Sequence, residues 1–363
     1  MKRKFVISFL IIGFIVAACY NSEKEDTIIP GWFKERNEIS AREYKILGKT
    51  KLSDYGFFQG ELSKLMPLDN VLAYEVNSPL FSDYSFKKRF IYFPKGSRAY
   101  YSQDEVFDFT EGVILIKNFY YPNDFRKADG DKKILETRLL IRSGEEWTPL
   151  VYIWNEEQTE AYLEIIGDSV DINWKHYDGS IKSLNYRVPD NNQCRSCHMT
   201  DRKTKPLGIS TRQINIPELR ESNPIIVMET RGFIDLAYMD VNKYMVSYEN
   251  EGASLEDRAR SYLDSNCGTC HNNKGSAKTS GLFLDWFEDN FYRLGVNKAP
   301  IAAGKASGGR LYSILPGKPD ESILLYRMES NDIEIMMPEI GRQIVHAEGV
   351  ELIRAWIESM KSN

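Results

Sequence analysis

Apolar residues recur in short runs between residues 52 and 188. The runs are rich in aromatic and β-branched residues, and Gly, Pro, Asn and Asp separate them, which is typical of strands joined by turns. They predict strands over residues 89–93, 113–121, 134–142, 147–154, 160–166, 170–174 and 181–188. Asp178-Gly179 predicts a tight hairpin turn before the last strand, because such turns need positive φ. We therefore expect a β-rich, sandwich-like domain over residues 43–190.

The spacing becomes helical near the C-terminus. Ser254 stands three residues before Asp257, which predicts a capped helix, and one apolar face continues through Tyr262. A closing helix is predicted from an apolar face of Gly349, Val350, Ile353, Trp356, Ile357 and Met360. Two such helices predict an all-α domain over residues 250–363.

The first 18 residues have the form of a secretory signal peptide, with a basic start, an apolar run and the small residues Ala17 and Ala18. Cys19 follows directly, and the junction resembles the lipobox of bacterial lipoproteins, whose cysteine carries the lipid. Residues 19–42 are polar and read as a tether. We expect an exported protein of the bacterial cell envelope, lipid-anchored to a membrane through Cys19 and facing the periplasm or cell surface. By the same resemblance, the absence of Asp after Cys19 favours the outer membrane.

Length and charge narrow the function further. A chain of 363 residues is long enough for two domains. The formal net charge is −5, and removal of the basic leader makes it more negative. This charge predicts no nucleic-acid partner.

Two five-residue motifs carry the chemistry, at residues 194–198 and 267–271. Both read C-x-x-C-H, the pattern for covalent attachment of c-type haem. The sequence therefore predicts two haem c groups, each bound through two thioethers and a histidine on the iron. The attachment thiols are Cys194, Cys197, Cys267 and Cys270, and the iron ligands are His198 and His271. A zinc site with four cysteine ligands and a thioredoxin-like pair are the alternatives. The motifs are further apart than in a zinc ribbon, and neither alternative explains the histidines.

The second haem has a candidate sixth ligand in Met337, which directly precedes Pro338. Met336 and Met328 are alternatives within the same stretch, and His346 would give bis-histidine ligation. A methionine ligand raises the reduction potential relative to a second histidine.

The first haem has a less defined environment, over residues 191–249. Pro189 ends the preceding strand, so we expect this motif to have no helix of its own. Its sixth ligand is Met245, Met239 or Met228, or the position is open. Arg310 and Arg327 are candidate partners of haem propionates.

Polar residues of the β-rich half show no catalytic spacing. Glu136, Arg138 and Asp124 are therefore predicted to lie in turns or on solvated strand faces.

Residues 52–58, 77–84 and 151–159, together with the two motifs, resemble a family of exported dihaem c-type cytochromes. Residues 250–363 resemble a class I cytochrome c domain, with the haem motif after the first helix and a methionine before the last. The resemblance implies haem and export, and no substrate.

These features lead us to expect electron transfer through two haems to unknown redox partner proteins. The alternatives are a dihaem peroxidase-like or other haem oxidoreductase with an open first haem, and a β-rich half that binds a substrate or partner protein.

Overall fold

The computed structural model describes residues 48–102, 106–127, 129–200, 203–236 and 243–361. Residues 49–363 form one compact unit. The predicted signal peptide, the tether and Cys19 lie outside the described residues. Within these ranges no helix has the length and apolar character needed to cross a membrane.

The centre of the unit is a six-stranded antiparallel sheet in the order β10-β9-β8-β7-β4-β3. Its strands are β3 (Val71–Tyr74), β4 (Phe86–Tyr92), β7 (Ile114–Pro122), β8 (Lys132–Ser143), β9 (Glu146–Trp154) and β10 (Ala161–Glu164). Two-stranded sheets join β1 (Phe58–Gln59) to β2 (Met66–Pro67), β5 (Ala99–Tyr100) to β6 (Asp108–Phe109), β11 (Asp168–Lys175) to β12 (Ile181–Val188), and β13 (Met199–Thr200) to β14 (Lys203–Thr204). The predicted strands are thus confirmed, including the hairpin turn, where Gly179 has a φ of 83°.

The central sheet is buried on both faces because successive residues of a strand point to opposite sides. Phe90 and Ile116 belong to one hydrophobic core, and their neighbours Ile91 and Leu115 belong to another. The second core is completed by residues from later in the chain, namely Ile209, Ile214, Ile225, Met228 and Ile234. Downstream segments therefore cover this face of the sheet.

Within the described residues, helices are short and come mostly after the sheet. The α-helices are α1 (Asn191–His198), α2 (Thr211–Ile214), α3 (Pro224–Thr230), α4 (Leu255–Leu263), α5 (Ile323–Met328) and α6 (Ala347–Ser359). Short 3-10 turns cover Ser53–Tyr55, Leu62–Lys64, Pro217–Ser222, Lys278–Ser280, Gly304–Ser307 and Pro319–Glu321. The predicted cap of α4 is confirmed, because the Ser254 hydroxyl accepts the backbone N–H of Asp257 at 3.0 Å.

The predicted fold class is wrong in two respects. The strands do not form a sandwich of two large sheets. The other sheets of the described residues have two strands each, and the second face of the central sheet packs on the segment from Ile209 to Ile234 together with the β5–β6 pair. Residues 250–363 do not form an all-α class I cytochrome c-like domain either. Between α4 and α5 the described chain consists mainly of turns and irregular segments, with parallel bridges such as Val296 to Ile314.

The physical reason is that a helix cap and an apolar stripe report only on their own helix. Both terminal helices of residues 250–363 exist, and α4 and α6 share a core that includes Tyr262, Leu263, Ile353 and Trp356. The intervening sequence is rich in Gly, Pro, Asn and Ser, which favour turns over helix. Of the described residues, 25% are helical and 26% are in strands.

Candidate functional site

The first motif lies on helix α1, which begins directly after β12. The Asp190 carboxylate accepts the backbone N–H of Gln193 at 2.8 Å, and the Gln193 side chain accepts the N–H of Asp190 at 3.2 Å. This reciprocal pair is a capping box, and it satisfies N–H groups that a helix start leaves unpaired. The prediction that the first motif has no helix of its own is therefore wrong. The spacing of Asp190 and Gln193 was the signal that could have shown the helix.

His198 is held by the backbone that follows its motif. Its Nδ1 lies 2.8 Å from the carbonyl oxygen of Lys205. Because a carbonyl only accepts hydrogen bonds, Nδ1 carries the proton in this pair. Burial lowers the pKa of His198 to about 4, so the ring is neutral at pH 7. The remaining nitrogen, Nε2, then has the free lone pair that metal binding requires.

The second motif follows α4 through one π-helical turn, Asp264–Gly268. A hydrogen bond with the backbone of Leu282 favours the protonated ring of His271, while burial has the larger effect and lowers its pKa. The Ser280 hydroxyl also lies 3.3 Å from Nδ1 of His271. Both motif histidines thus have hydrogen-bond partners in the part of the chain that follows the motif.

Two glycines let the chain pass close to the second motif. A Cβ on Gly275 would lie 2.2 Å from the carbonyl oxygen of Cys270, and one on Gly268 would lie 3.0 Å from Cα of Asp285. Neither position has room for a side chain. The segment around residue 284 therefore packs directly against the motif backbone.

Both motifs open into one cavity of about 2480 Å³. All ten motif residues line it, including the cysteines and histidines Cys194, Cys197, His198, Cys267, Cys270 and His271. All four of these cysteines are free thiols. Burial raises the pKa of Cys197 to about 11, and the next largest cause is the nearby Cys270. The two motifs, 73 residues apart in the sequence, are thus brought together.

The lining fits the chemistry of a haem, an apolar macrocycle with two carboxylates. Its apolar walls include Leu115, Leu139, Leu140, Leu282, Leu324 and Met336. Cations that line it include Arg89, Lys117, Arg138, Arg212, Arg327 and Arg342. The buried Nε–H of Arg212 has no hydrogen-bond partner among the described residues, so a cavity donor is left for an acceptor. The zinc alternative would require a cluster of His, Cys, Asp or Glu side chains, and the described residues contain no such group of three or more.

Met337 lies on a loop that lines the same cavity as the second motif. Its backbone N–H donates to the carbonyl of Arg327 at 3.0 Å, and its carbonyl accepts from Nη2 of Arg342 at 2.8 Å. Met337 is half-buried and lines the cavity, as do the more deeply buried Met336 and Met328. The structure therefore keeps all three methionines near the cavity and fixes the backbone of Met337.

Arg342 was not singled out from the sequence, although it organises this loop. The residue is 6% exposed, and its guanidinium also donates to the carbonyl of Ser330 at 2.9 Å. Burial lowers its pKa, and the Tyr262 and Asp83 side chains oppose that effect. A single arginine in a polar stretch carries no periodicity, so the sequence contains no signal for this role.

His346, the alternative ligand, lines the cavity but has protein partners at both ring nitrogens. Nδ1 lies 3.0 Å from the hydroxyl of Tyr262, and Nε2 lies 3.5 Å from a carboxylate oxygen of Glu348. The ring also stacks on Phe81, with centroids 4.2 Å apart. Coordination of a metal by His346 would require one of these contacts to break.

Two of the three candidate sixth ligands of the first haem, Met228 and Met245, lie away from the cavity lining. Met228 and Met245 are fully buried, and neither is among the residues that line the cavity. Met228 packs in the core beneath the sheet. Met239 lies outside the described residues.

The two arginines predicted as propionate partners differ in their position relative to the cavity. Arg327 lines the cavity, donates to the carbonyl of Ile335 at 2.8 Å and has a pKa lowered by burial. Arg310 is not among the lining residues. It donates to the carbonyl of Asp320 at 2.7 Å and packs on the ring of Tyr326.

Glu136 was predicted to lie on a solvated face or in a turn, and this is wrong. Its side chain is fully buried and binds Arg138 at 2.6 Å, and the Tyr186 hydroxyl donates to it at 2.6 Å. The i, i+2 spacing of Glu136 and Arg138 places both on one face of β8, a signal present in the sequence. Asp124 forms a bridge with Lys175 and opens a turn, in which its carbonyl accepts the N–H of Lys127 at 2.9 Å and its carboxylate binds Arg126 at 2.7 Å.

No family model, curated protein or solved structure matches this chain.

Proposed function

We propose that the protein is a dihaem c-type cytochrome that transfers electrons in the bacterial cell envelope. The observation that carries the proposal is the shared cavity, which both C-x-x-C-H motifs line with free thiols and histidines of lowered pKa. Cys194, Cys197, Cys267 and Cys270 are the residues that would form thioethers, and His198 and His271 are those that would bind iron. When bound, haem supplies an iron that changes between ferrous and ferric states.

The chain's own residues orient and shield the group. The Lys205 carbonyl holds the ring of His198 in one tautomer, as partners of metal-binding histidines commonly do. Arg342 fixes the backbone of Met337, the proposed sixth ligand at the second motif. Because the two motifs line the same cavity, it supports transfer between the two haems. The lipobox-like leader supports attachment to a membrane through a lipid on Cys19, and the redox partners are other proteins.

A second candidate function is a peroxidase-like or other haem oxidoreductase with an open first haem. The observation that favours it is the position of Met228 and Met245, which lie in the core and not along the cavity. An open iron position is what a substrate such as peroxide needs. The two functions therefore differ in whether the haem at the first motif has a sixth ligand.

The haem assignment is tested by the mass of the full chain produced in a host that matures c-type cytochromes. We expect two covalent haems in the wild type. Cys194→Ser with Cys197→Ser should retain one haem, and so should Cys267→Ser with Cys270→Ser. Cys19→Ser is the matched control, since it should keep both haems and leave the membrane fraction. A wild-type chain without covalent haem contradicts the proposal.

The choice between carrier and enzyme is tested on the same material by optical and EPR spectra with and without peroxide. Two low-spin haems and no peroxide turnover support electron transfer. A high-spin haem that is lost together with Cys194 and Cys197, combined with turnover, supports the oxidoreductase.

A further inference from the structure

Three cations stand side by side on the sheet wall of the cavity. Arg89 on β4 pairs in register with Lys117 on β7, and Lys117 pairs in register with Arg138 on β8. All three line the cavity, and Arg89 is 7% exposed. We call these residues the cation row. Like charges directly opposite each other on neighbouring strands destabilise a sheet, so the row needs anions.

The protein supplies only part of that negative charge. Glu136 binds Arg138 at 2.6 Å, and Glu75, which is largely exposed, lies 3.5 Å from Arg89. Lys117, in the middle of the row, has no ion pair within the part of the chain that the structure describes. Burial, with Arg89 and Arg138, lowers the pKa of Lys117 to about 7. Lys87, two residues before Arg89 on β4, is a further cation that acts on the row, and Asp83 is a further carboxylate nearby. Cations therefore still outnumber carboxylates at this wall, and an anion in the cavity would favour the protonated form of Lys117.

The cation row lies beside the first motif. Arg138 and Lys117 both lower the pKa of Cys197, against the larger effect of burial, and Arg138 does the same at Cys194. The anions that a haem brings into such a cavity are its two propionate carboxylates. Arginine binds carboxylates through paired N–H groups, and lysine binds them as a point charge.

We propose that the cation row, Arg89, Lys117 and Arg138, binds haem propionate carboxylates, with Lys117 supplying the cation that the protein leaves unpaired. This inference rests on the proposed function. It extends the set of cofactor-positioning residues into the β-rich half, far in sequence from either motif. It also explains why a sheet strand carries a lysine where its neighbours on the same face, such as Leu115, are apolar.

The cation row has an expected effect on reduction potential. A positive charge near a haem favours the ferrous state, which carries one positive charge fewer than the ferric state. Removal of Lys117 should therefore lower the potential of the haem whose propionates it binds. The low dielectric of the buried wall makes this effect larger than that of a surface charge.

The experiment compares the matured full chain carrying Lys117→Met, Lys117→Arg or Lys88→Met with the wild type. Lys88 is the matched control, because it lies on β4 next to Arg89 and is not among the cavity-lining residues. Mass spectrometry first counts the covalent haems, and potentiometric titration then follows each one-electron step. We expect two haems throughout, a step at lower potential in Lys117→Met, and wild-type potentials in Lys117→Arg and Lys88→Met.

Unchanged potentials in Lys117→Met with both haems attached overturn the inference and leave the proposed function intact. Absence of haem in the wild type overturns the proposed function itself. If Lys117→Met does not accumulate, Arg89→Met carries the same expectation. Inorganic phosphate is the remaining probe: a change in the wild-type spectrum that Lys117→Met lacks would show that the row is free for a solution anion, and would overturn the propionate assignment.

Discussion

The same five-residue motif occurs twice in this chain, in two different surroundings. The first copy lies on an eight-residue capped helix directly after a strand, and cations of the sheet line its side of the cavity. The second follows a longer helix through a π-helical turn, and Met328, Met336 and Met337 line the same cavity. The first copy has cations of the sheet beside it, whereas the second has the loop arginines Arg327 and Arg342 beside it.

The difference teaches that the motif sets attachment, while the surrounding protein sets the properties of the attached group. Axial ligands and nearby charges tune haem potentials, and the tuning spans roughly 0.8 V for axial ligands alone. Two identical motifs can therefore have distinct roles in one chain. Substitutions can therefore test the surroundings of each motif separately.

The largest effect is expected from the proposed sixth ligand. Met337→His should abolish the far-red methionine-to-iron band and lower the potential of the second haem, because imidazole replaces a thioether. Met336→Leu is the matched control and should retain the band. Optical titration of both variants gives the answer, and the opposite pattern would assign Met336 as the ligand.

The second largest effect is expected from Arg342, which binds the backbone of the loop that carries Met337. Arg342→Met removes the donors to the carbonyls of Met337 and Ser330 and should lower the free energy of unfolding by about 2–3 kcal/mol, since buried carbonyls lose their partners. Denaturant unfolding measures the loss. Arg310→Met, outside the cavity lining, should change stability by less than about 0.5 kcal/mol. Equal losses in the two variants would contradict the anchoring role.

Acid should lower the free energy of unfolding through His346, which lines the cavity. Burial lowers its pKa from 6.5 to about 4, so below pH 6.5 the unfolded chain binds a proton that the folded chain does not. Stability contributed by neutral His346 is therefore present above pH 6.5 and is lost as the pH falls toward 4, at most about 1.4 kcal/mol per pH unit.

The measurement is denaturant unfolding at pH 7 and pH 5 for the wild type and His346→Gln. The variant should lose less stability between the two pH values. An unchanged difference would show that other groups carry the acid response.

The smallest effect is expected from the N-terminal caps of two helices. Helix α1 carries the first motif, and helix α4 precedes the second. Asp190→Ala and Ser254→Ala should each cost about 1 kcal/mol of stability, because each removes the acceptor for a backbone N–H at a helix start. Only Asp190→Ala should weaken haem attachment at Cys194 and Cys197, which lie on the capped helix itself. Mass spectrometry of the matured variants distinguishes the two, and equal losses of haem would contradict this local effect.

Much of the local structure was predictable from the sequence. The strands β4 and β7 to β12 follow alternating or continuous apolar runs, and the cap at Ser254 and the closing helix α6 follow from spacing. The attachment thiols and motif histidines were predictable because their chemistry depends on a contiguous pattern. Helix α1 was missed although Asp190 and Gln193 carried its signal.

Only the tertiary structure decided which segments meet. It brings the two motifs to one cavity, covers one face of the central sheet with the segment from Ile209 to Ile234, and removes Met228 and Met245 from the cavity wall. It also sets Arg89, Lys117 and Arg138 in register. The physical reason is range: caps, turns and motif chemistry depend on neighbours within a few residues, whereas burial and charge pairing depend on contacts between residues far apart in the chain.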